Sequence, residues 1–290
     1  MIPNPQFGTW LQQQLGCKAQ KLSVDAGLTC PNRDGTLGTG GCTFCNNRTF
    51  SPSYCDPSLT VTEQLTRGKQ FFARKYPQMK YLAYFQAYTN TYGDPAHLTA
   101  LYEEALRVPD IVGLVVSTRP DCISPHLLDY FAQLAQHTFL LLEYGVESTS
   151  DDTLRRIHRH HTYSQSEQAI RQTADRGIHT GAHVILGFPW EDHDQLMHQA
   201  DQLASLPLTT LKIHQLQVIR GTALAREYQR APWPMPTAEE YVRLVADYIR
   251  RLPPTLVLER FVSQSPPEMV LAPQWGLKNY QFAQLLDKFC

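Results

Sequence analysis

The sequence predicts an α/β protein folded as a partial (β/α)6 barrel, TIM-like but incomplete, with a C-terminal extension. Three observations carry this. Strand-like and helix-like segments alternate along most of the chain, which implies a parallel sheet with helices outside. Residues 111–117 form a short apolar run, ending at Ser117, of the kind buried in parallel sheets. The conspicuous polar residues fall just after the strand-like segments, where parallel α/β folds place their reactive groups. About six units suit an open barrel better than a closed eightfold one.

The elements follow in order. Residues 21–25 read as a first strand leading into a loop rich in Gly, Asn, Asp and Thr. Residues 61–76 read as a helix and 81–86 as a strand. Asp94 is placed to cap a helix over 95–107, and Ser124 one over 125–136. Strands are expected at 111–117 and 139–143. A helix over 164–176 ends at Gly177, a residue suited to the left-handed turn after a helix. Then come a strand at 180–186, a helix at 192–205 and a strand at 210–217. A helix over 239–251 is closed by Pro253 and Pro254, and 255–262 is a last strand. The barrel with its lead-in is assigned to 1–236, including the cysteine loop at 26–50. The extension is 237–290, packing on the barrel, and the proline-rich stretch 231–236 is a connection.

Composition excludes several classes. The 290 residues are 42% hydrophobic and 18% charged, ordinary for a globular protein with a buried core. No apolar run reaches 18 residues, so no membrane span is expected. The first residues lack the charged and apolar regions of a signal peptide, which makes the cytoplasm the expected location. Seven cysteines is an odd number, and cytosolic thiols stay reduced, so a disulfide framework is not expected. The net charge of −1 requires any nucleic-acid partner to find a local basic patch.

The most informative residues are Cys30, Cys42 and Cys45, spaced C-x11-C-x2-C in Cys30-Pro31-Asn32-Arg33-Asp34-Gly35-Thr36 and Gly40-Gly41-Cys42-Thr43-Phe44-Cys45-Asn46. Three thiolates from one loop can hold iron or zinc and leave one coordination position open. With Cys55 as a fourth ligand the same spacing suits structural zinc, and spacing alone does not decide between the metals. Cys17, Cys55, Cys122 and Cys290 otherwise read as incidental thiols.

The surroundings of these cysteines resemble the cluster loop of a radical S-adenosylmethionine enzyme. More narrowly, the chain resembles the YtqA/YhcC-like family, related to the radical domain of the elongator catalytic subunit. The resemblance extends through Tyr84-Phe85-Gln86-Ala87-Tyr88-Thr89-Asn90-Thr91 and Thr118-Arg119-Pro120-Asp121-Cys122. It continues in Glu143-Tyr144-Gly145-Val146-Glu147-Ser148, Leu186-Gly187-Phe188-Pro189, Lys212-Ile213-His214 and Leu271-Ala272-Pro273-Gln274-Trp275. It implies a [4Fe–4S] cluster on Cys30, Cys42 and Cys45, with the fourth iron left for the amino and carboxylate groups of S-adenosylmethionine. It also implies a 5′-deoxyadenosyl radical that abstracts hydrogen from a substrate, and an electron donor such as flavodoxin or ferredoxin. Soft thiolates suit iron–sulfur clusters. Gly38, Gly40 and Gly41 are expected to let the loop wrap closely, and Phe44 to shield the cluster.

The same resemblance nominates contacts for S-adenosylmethionine. Gln86, Thr89 and Asn90 replace the glycine-rich turn that related enzymes set against the methionine amino group. Ser117 ends the next strand; there an Arg119–Asp121 pair that merely fixes the loop is an equal alternative. Glu143 and Glu147 flank Gly145, and Glu147 stands where many relatives carry a ribose-binding Gln. Arg159 stands where relatives bind the methionine carboxylate, a group that a guanidinium fork matches. His183 occupies a strand position able to touch the ribose, with a satisfied core histidine as the alternative. No acid–base residue is singled out.

The run Arg155-Arg156-Ile157-His158-Arg159-His160-His161 is the most basic point in the chain, read as either a solvated helix end or a phosphate-contacting patch. Lys212, His214, Arg220, Arg226 and Arg230 extend the second reading, with Lys212 and His214 as candidate substrate contacts. The resemblance implies transfer RNA as partner and modification of a wobble-uridine side chain, with no appended methyltransferase or acetyltransferase domain. A radical enzyme acting on a small metabolite, marked by a closed apolar pocket, is one alternative. A zinc-binding nucleic-acid adaptor is the other.

Overall fold

A computed structural model describes residues 2–73 and 78–290. Helix α1 (Phe7–Leu15) precedes strand β1 (Ala19–Val24), and the cysteine loop leads to α2 (Val61–Ala73). Positions 74–76 of the helix expected at 61–76 lie outside the described residues. Then follow β2 (Lys80–Phe85), α3 (Pro95–Arg107), β3 (Ile111–Thr118), α4 (Pro125–Ala135) and β4 (Phe139–Glu147). After α5 (Asp151–Arg156) and α6 (Tyr163–Ala174) come β5 (His179–Leu186), α7 (His193–Ala204), β6 (Thr210–Gln215) and β7 (Val218–Ile219). The chain ends with α8 (Ala223–Arg230), α9 (Ala238–Arg250), β8 (Val257–Arg260), β9 (Val270–Ala272) and α10 (Asn279–Leu286).

Local chemistry explains the boundaries. Asp94 and Ser124 accept backbone hydrogen bonds from His97 and Leu127, with proline at the first helical turn in both cases. Thr162, Asp192 and Thr237 each form a reciprocal capping box with a Gln or Glu three residues on. Gly177 takes φ +73° after α6, as its position in the sequence suggested.

The seven long strands form one parallel sheet in the order β1-β2-β3-β4-β5-β6-β8, curled into a half-barrel with helices outside. Where the sequence suggested about six units there are seven strands. The seventh is β8, which pairs with β6 although it lies beyond residue 237. The strand expected at 210–217 stops at Gln215, and Val218 and Ile219 pair with β9 instead.

Strand alternation sorts the barrel's inner face into tiers. The floor is apolar: Leu82, Val115 and Leu141 are plugged from below by Leu11 and Trp10 of α1. Two residues further along each strand the inner face becomes polar, and two further still it reaches the mouth. The outer face (Leu22, Ala83, Phe85, Leu114, Val116, Leu142, Val184, Leu211) joins the large core beneath the helices.

Where β3 meets β4, a Cβ on Gly113 would stand 2.4 Å from the Phe139 carbonyl oxygen and 2.8 Å from the Phe139 Cβ. Both are fixed by the ladder. Gly113→Ala is expected to lower unfolding free energy by about 2 kcal/mol or more, an overpacking cost in a site unable to yield. Urea unfolding checks this; a variant within a few tenths of a kcal/mol of the parent would contradict the tight β3–β4 contact.

Candidate active site

Every strand of the half-barrel contributes one side chain to a polar belt above the floor. Glu143 of β4 is its hub. It accepts hydrogen bonds from Lys21 of β1 at 2.6 Å, Lys212 of β6 at 2.7 Å and Ser117 of β3 at 3.0 Å, and lies 3.0 Å from His183 Nε2 of β5. Glu259 of β8 takes Lys21 at 2.7 Å and Lys212 at 3.1 Å. Tyr84 of β2 accepts from Lys212 at 3.0 Å, shares a 3.0 Å hydrogen bond with Ser117, and its ring faces both lysines. Glu143 is 1% exposed. Its burial alone would raise its pKa, but Lys21, Lys212 and His183 outweigh that and hold the carboxyl well below the ordinary range. The Tyr84 hydroxyl is pushed well above its usual value by burial and by the Glu143 charge.

The cysteine loop lies over the mouth. Its turns are closed by its own backbone: Arg33 N donates to Cys30 O at 2.7 Å, Gly41 N to Asn32 O at 2.7 Å, and Cys45 N to Cys42 O at 3.0 Å. It is stitched to the segment after α5 by Thr43 N to Ile157 O at 3.0 Å and by the Asn32 amide to His158 O at 2.9 Å. Of the three glycines expected to allow close wrapping, Gly41 is the one that needs the freedom. Its φ is +74°, and a Cβ would stand 2.9 Å from the Arg33 guanidinium carbon, whereas Gly40 faces open space. Phe44 packs onto the apolar group of Leu154, Ile157, Phe188 and Leu224.

The three thiols influence one another. Burial, then the Cys42 thiol, pushes Cys45 up to about 11, against the Arg33 guanidinium, with Cys30 adding to the rise. Cys42 Sγ receives Asn32 Nδ2 at 3.3 Å and an Arg159 guanidinium nitrogen at 3.7 Å. Cys55 is turned away: its thiol donates to Ser23 O at 2.9 Å, and burial raises it to about 12. Among the described residues no three His, Cys, Asp or Glu side chains converge on one small ion. Burial, then the Asp121 charge, pushes the Cys122 thiol up to about 12, with Cys30 adding to the rise.

The rim of the mouth gathers most of the other nominated residues. Arg159 donates to Gly145 O at 2.6 Å and lies 3.6 Å from Glu147, whose backbone sits at φ +68° where β4 bulges. Burial opposes the Arg159 charge, but Cys42 and Glu147 more than restore it. Arg119 grips Asp121 with two hydrogen bonds, at 2.9 and 2.7 Å, and donates to Arg159 O at 2.8 Å, so this pair does fix the loop. Asn90 donates to Phe85 O at 3.0 Å and Ser117 O at 2.9 Å, Thr89 N to Thr29 O at 3.2 Å, and Gln86 accepts from Ser23 Oγ at 3.1 Å. Ser117, Glu143 and His183 sit one tier lower, in the belt.

The basic run does not form one patch. Ile157, Arg159 and His161 are buried, while His158 and His160, with φ of +56° and +57°, are exposed between them. Burial, then the Arg159 charge, drops His161 to about 3. Arg155 pairs with Asp152, and Arg156 pairs with Glu227 at 3.3 Å and covers Trp190. Lys212 is interior, whereas Arg220, Arg226 and Arg230 are exposed. His214 Nδ1 lies 2.8 Å from Ser263 Oγ.

Several buried polar atoms at the rim have no protein partner: Asn32 Oδ1, Thr43 Oγ1, Thr89 Oγ1, Asn90 Oδ1, Arg119 Nη1, Arg159 Nε and His161 Nε2. Buried polar groups are normally satisfied, so such a concentration beside three thiols fits a polar cofactor held there. Sequence reasoning gave no individual role to Lys21, Tyr84, Glu259 or Asn32, and took His161 only as part of the basic run. A lysine and a glutamate inside two strands, Lys21 of β1 and Glu259 of β8, were the available signal for the belt.

The radical SAM superfamily pattern matches residues 34–202, and the radical SAM C-terminal domain matches 208–289. A half-barrel with a three-cysteine loop over its mouth and these matches define a radical SAM enzyme, which closes the adaptor reading. Its cofactors are those of the superfamily, S-adenosylmethionine and a [4Fe–4S] cluster. Within the superfamily the chain belongs to the family of YtqA and YhcC. It is 32% identical to the uncharacterized protein YtqA of Bacillus subtilis over 281 residues, covering 96% of this chain and 86% of that one. It is 31% identical to protein YhcC of Escherichia coli, covering 98% of this chain and 91% of that one. Among solved structures, the archaeal Methanocaldococcus infernus Elp3 with an N-terminal deletion shares the fold, with a TM-score of 0.66 at 15% identity. The alignment covers 93% of this chain and 62% of that one. No helix among the described residues is long and apolar enough to cross a membrane.

Proposed function

We propose that Cys30, Cys42 and Cys45 hold the [4Fe–4S] cluster at the barrel mouth, and that the enzyme modifies the side chain of a wobble uridine in transfer RNA. The observation that supports the site is the cluster of unpartnered buried polar atoms around the cysteine loop, where Asn32 and Arg159 both donate to the Cys42 sulfur. When bound, the cluster and S-adenosylmethionine supply one-electron, hydrogen-abstracting chemistry. The chain's own residues bind and orient. Arg159 offers its guanidinium to the methionine carboxylate, and Glu147 accepts from ribose hydroxyls. Thr89, Asn90 and Gln86 line the amino-group side, and Ser117, Glu143 and His183 form the polar ground beneath. The loop and its apolar backing around Phe44 exclude water.

The substrate reading rests on the motif resemblance to the elongator radical domain. It is supported by the character of the interior: a charged belt suits a polar uridine side chain and lacks the closed apolar wall expected for the small-metabolite alternative. Lys212 and His214 face that interior. An electron donor such as flavodoxin or ferredoxin and a cytoplasmic setting, where thiols stay reduced, complete the proposal.

Deleting the gene and comparing modified nucleosides of transfer RNA by mass spectrometry tests it. The expected result is loss of one wobble-uridine derivative and accumulation of its precursor. An unchanged wobble profile removes the transfer-RNA reading while leaving the family assignment intact.

A further inference from the structure

The charges of the barrel interior do not balance. Lys21 and Lys212 share Glu143 and Glu259. At the rim Arg119 has Asp121, Arg159 has Glu147 and Cys42, and Arg33 sits among the thiols of Cys45 and Cys30. Arg260 remains. It is the last residue of β8 and the register partner of Lys212 across a bulge at Glu259, so it shares the inner face with Lys212. Its charge reaches His214, whose ring lies 5.6 Å from that of His183. Arg260 is half-buried, and among the described residues no carboxylate or carbonyl accepts from its guanidinium. In the belt with Arg260, three cations face two carboxylates, which leaves one positive charge at the mouth.

A half-buried guanidinium without a counterion is costly unless an anion arrives. Its neighbour supplies a second donor. The Ser263 hydroxyl can donate to His214 Nδ1, which places the proton of the neutral ring on Nε2. A planar fork beside one N–H matches a monovalent carboxylate.

We infer that Arg260 and His214 form an anion site at the barrel mouth that receives a carboxylate carried by the substrate side chain. That the carboxylate is borne by a uridine side chain, as in a carboxymethylaminomethyl group, rests on the proposed function; the anion site does not.

The test uses the protein reconstituted anaerobically with its cluster and saturating S-adenosylmethionine. N-methylglycine, methylamine and inorganic phosphate are titrated calorimetrically. N-methylglycine is expected to bind and methylamine not. Arg260→Gln should weaken N-methylglycine at least about tenfold, and Arg260→Lys should recover only part, because a point charge replaces a fork. Unchanged binding in Arg260→Gln overturns the inference. So does N-methylglycine binding that occurs only when S-adenosylmethionine is left out, which would assign the site to the cofactor's carboxylate, and so does tighter binding of phosphate. In a second arm, RNA stem-loops carrying carboxymethylaminomethyluridine or aminomethyluridine are compared. The former is expected to bind at least about tenfold tighter to the parent and equally to Arg260→Gln. If N-methylglycine behaves as expected and neither RNA is preferred, the anion site stands and the wobble-uridine reading falls.

Discussion

Replacing Cys42 with Ala is expected to abolish the iron–sulfur absorbance near 400 nm and to bring 5′-deoxyadenosine formation below detection. Only the loss of Cys30 or Cys45 should match this effect. Cys42 is the thiol most engaged by the protein, receiving both Asn32 and Arg159. Both aim N–H groups at the sulfur and so fix where it sits. Removing the sulfur takes away one of three ligands and frees the Arg159 guanidinium from one of its two anionic neighbours, leaving Glu147 at 3.6 Å. The matched control is Cys55→Ala. That thiol is bonded to Ser23 O and kept protonated by burial, so its loss should leave iron content unchanged. Iron analysis and anaerobic spectra of the two variants decide the matter. A normal spectrum in Cys42→Ala sinks the ligand assignment; a lost spectrum in Cys55→Ala revives a fourth cysteine ligand.

The cysteine loop was legible because its information is local: spacing, glycines and flanking motifs lie within one stretch of chain. The strands were legible for a similar reason, since a short apolar run such as 111–116 has few other fates in an α/β protein. Boundaries held where a cap was written in the sequence, as at Asp94 and Ser124. Helix α1 escaped notice because its N-cap, Gln6, makes no side-chain capping bond and its apolar face is short. Helix α5, six residues long, lay inside a stretch read for its charge instead.

The belt was not legible, although each member was visible. Lys21 and Glu143 are 122 residues apart, and their contact depends on the order and register of four strands. Motif resemblance therefore assigned Ser117, Glu143 and His183 one by one to the cofactor, while the structure commits their side chains first to each other. The basic run shows the same limit. Two left-handed residues, His158 and His160, turn alternate side chains inward, which a count of charges in a window does not reveal.

That belt makes Glu143 the residue whose removal should cost the fold most. Glu143→Ala leaves Lys21 and Lys212, both largely enclosed, sharing only Glu259. Breaking a buried ion pair from one side is expected to lower unfolding free energy by about 3–5 kcal/mol, because the desolvated cations stay behind. Replacing both Glu143 and Lys212 with Met should cost less than Glu143→Ala alone, since the double change removes a charge of each sign. Urea unfolding of the three proteins checks this. A single variant within about 1 kcal/mol of the parent would show that solvent or rearrangement already compensates the lysines. The pH dependence has a definite sign. The folded pKa of Glu143 is depressed well below its ordinary value of 4.5 by Lys21 and Lys212 against the opposing effect of burial. Its contribution is therefore fully present above the ordinary value and lost as pH falls through the folded one. The stability gap between parent and Glu143→Ala should be flat near neutral pH and narrow only below about pH 4.5. A gap that already closed between neutral pH and the ordinary carboxylate range would contradict a depressed Glu143 pKa.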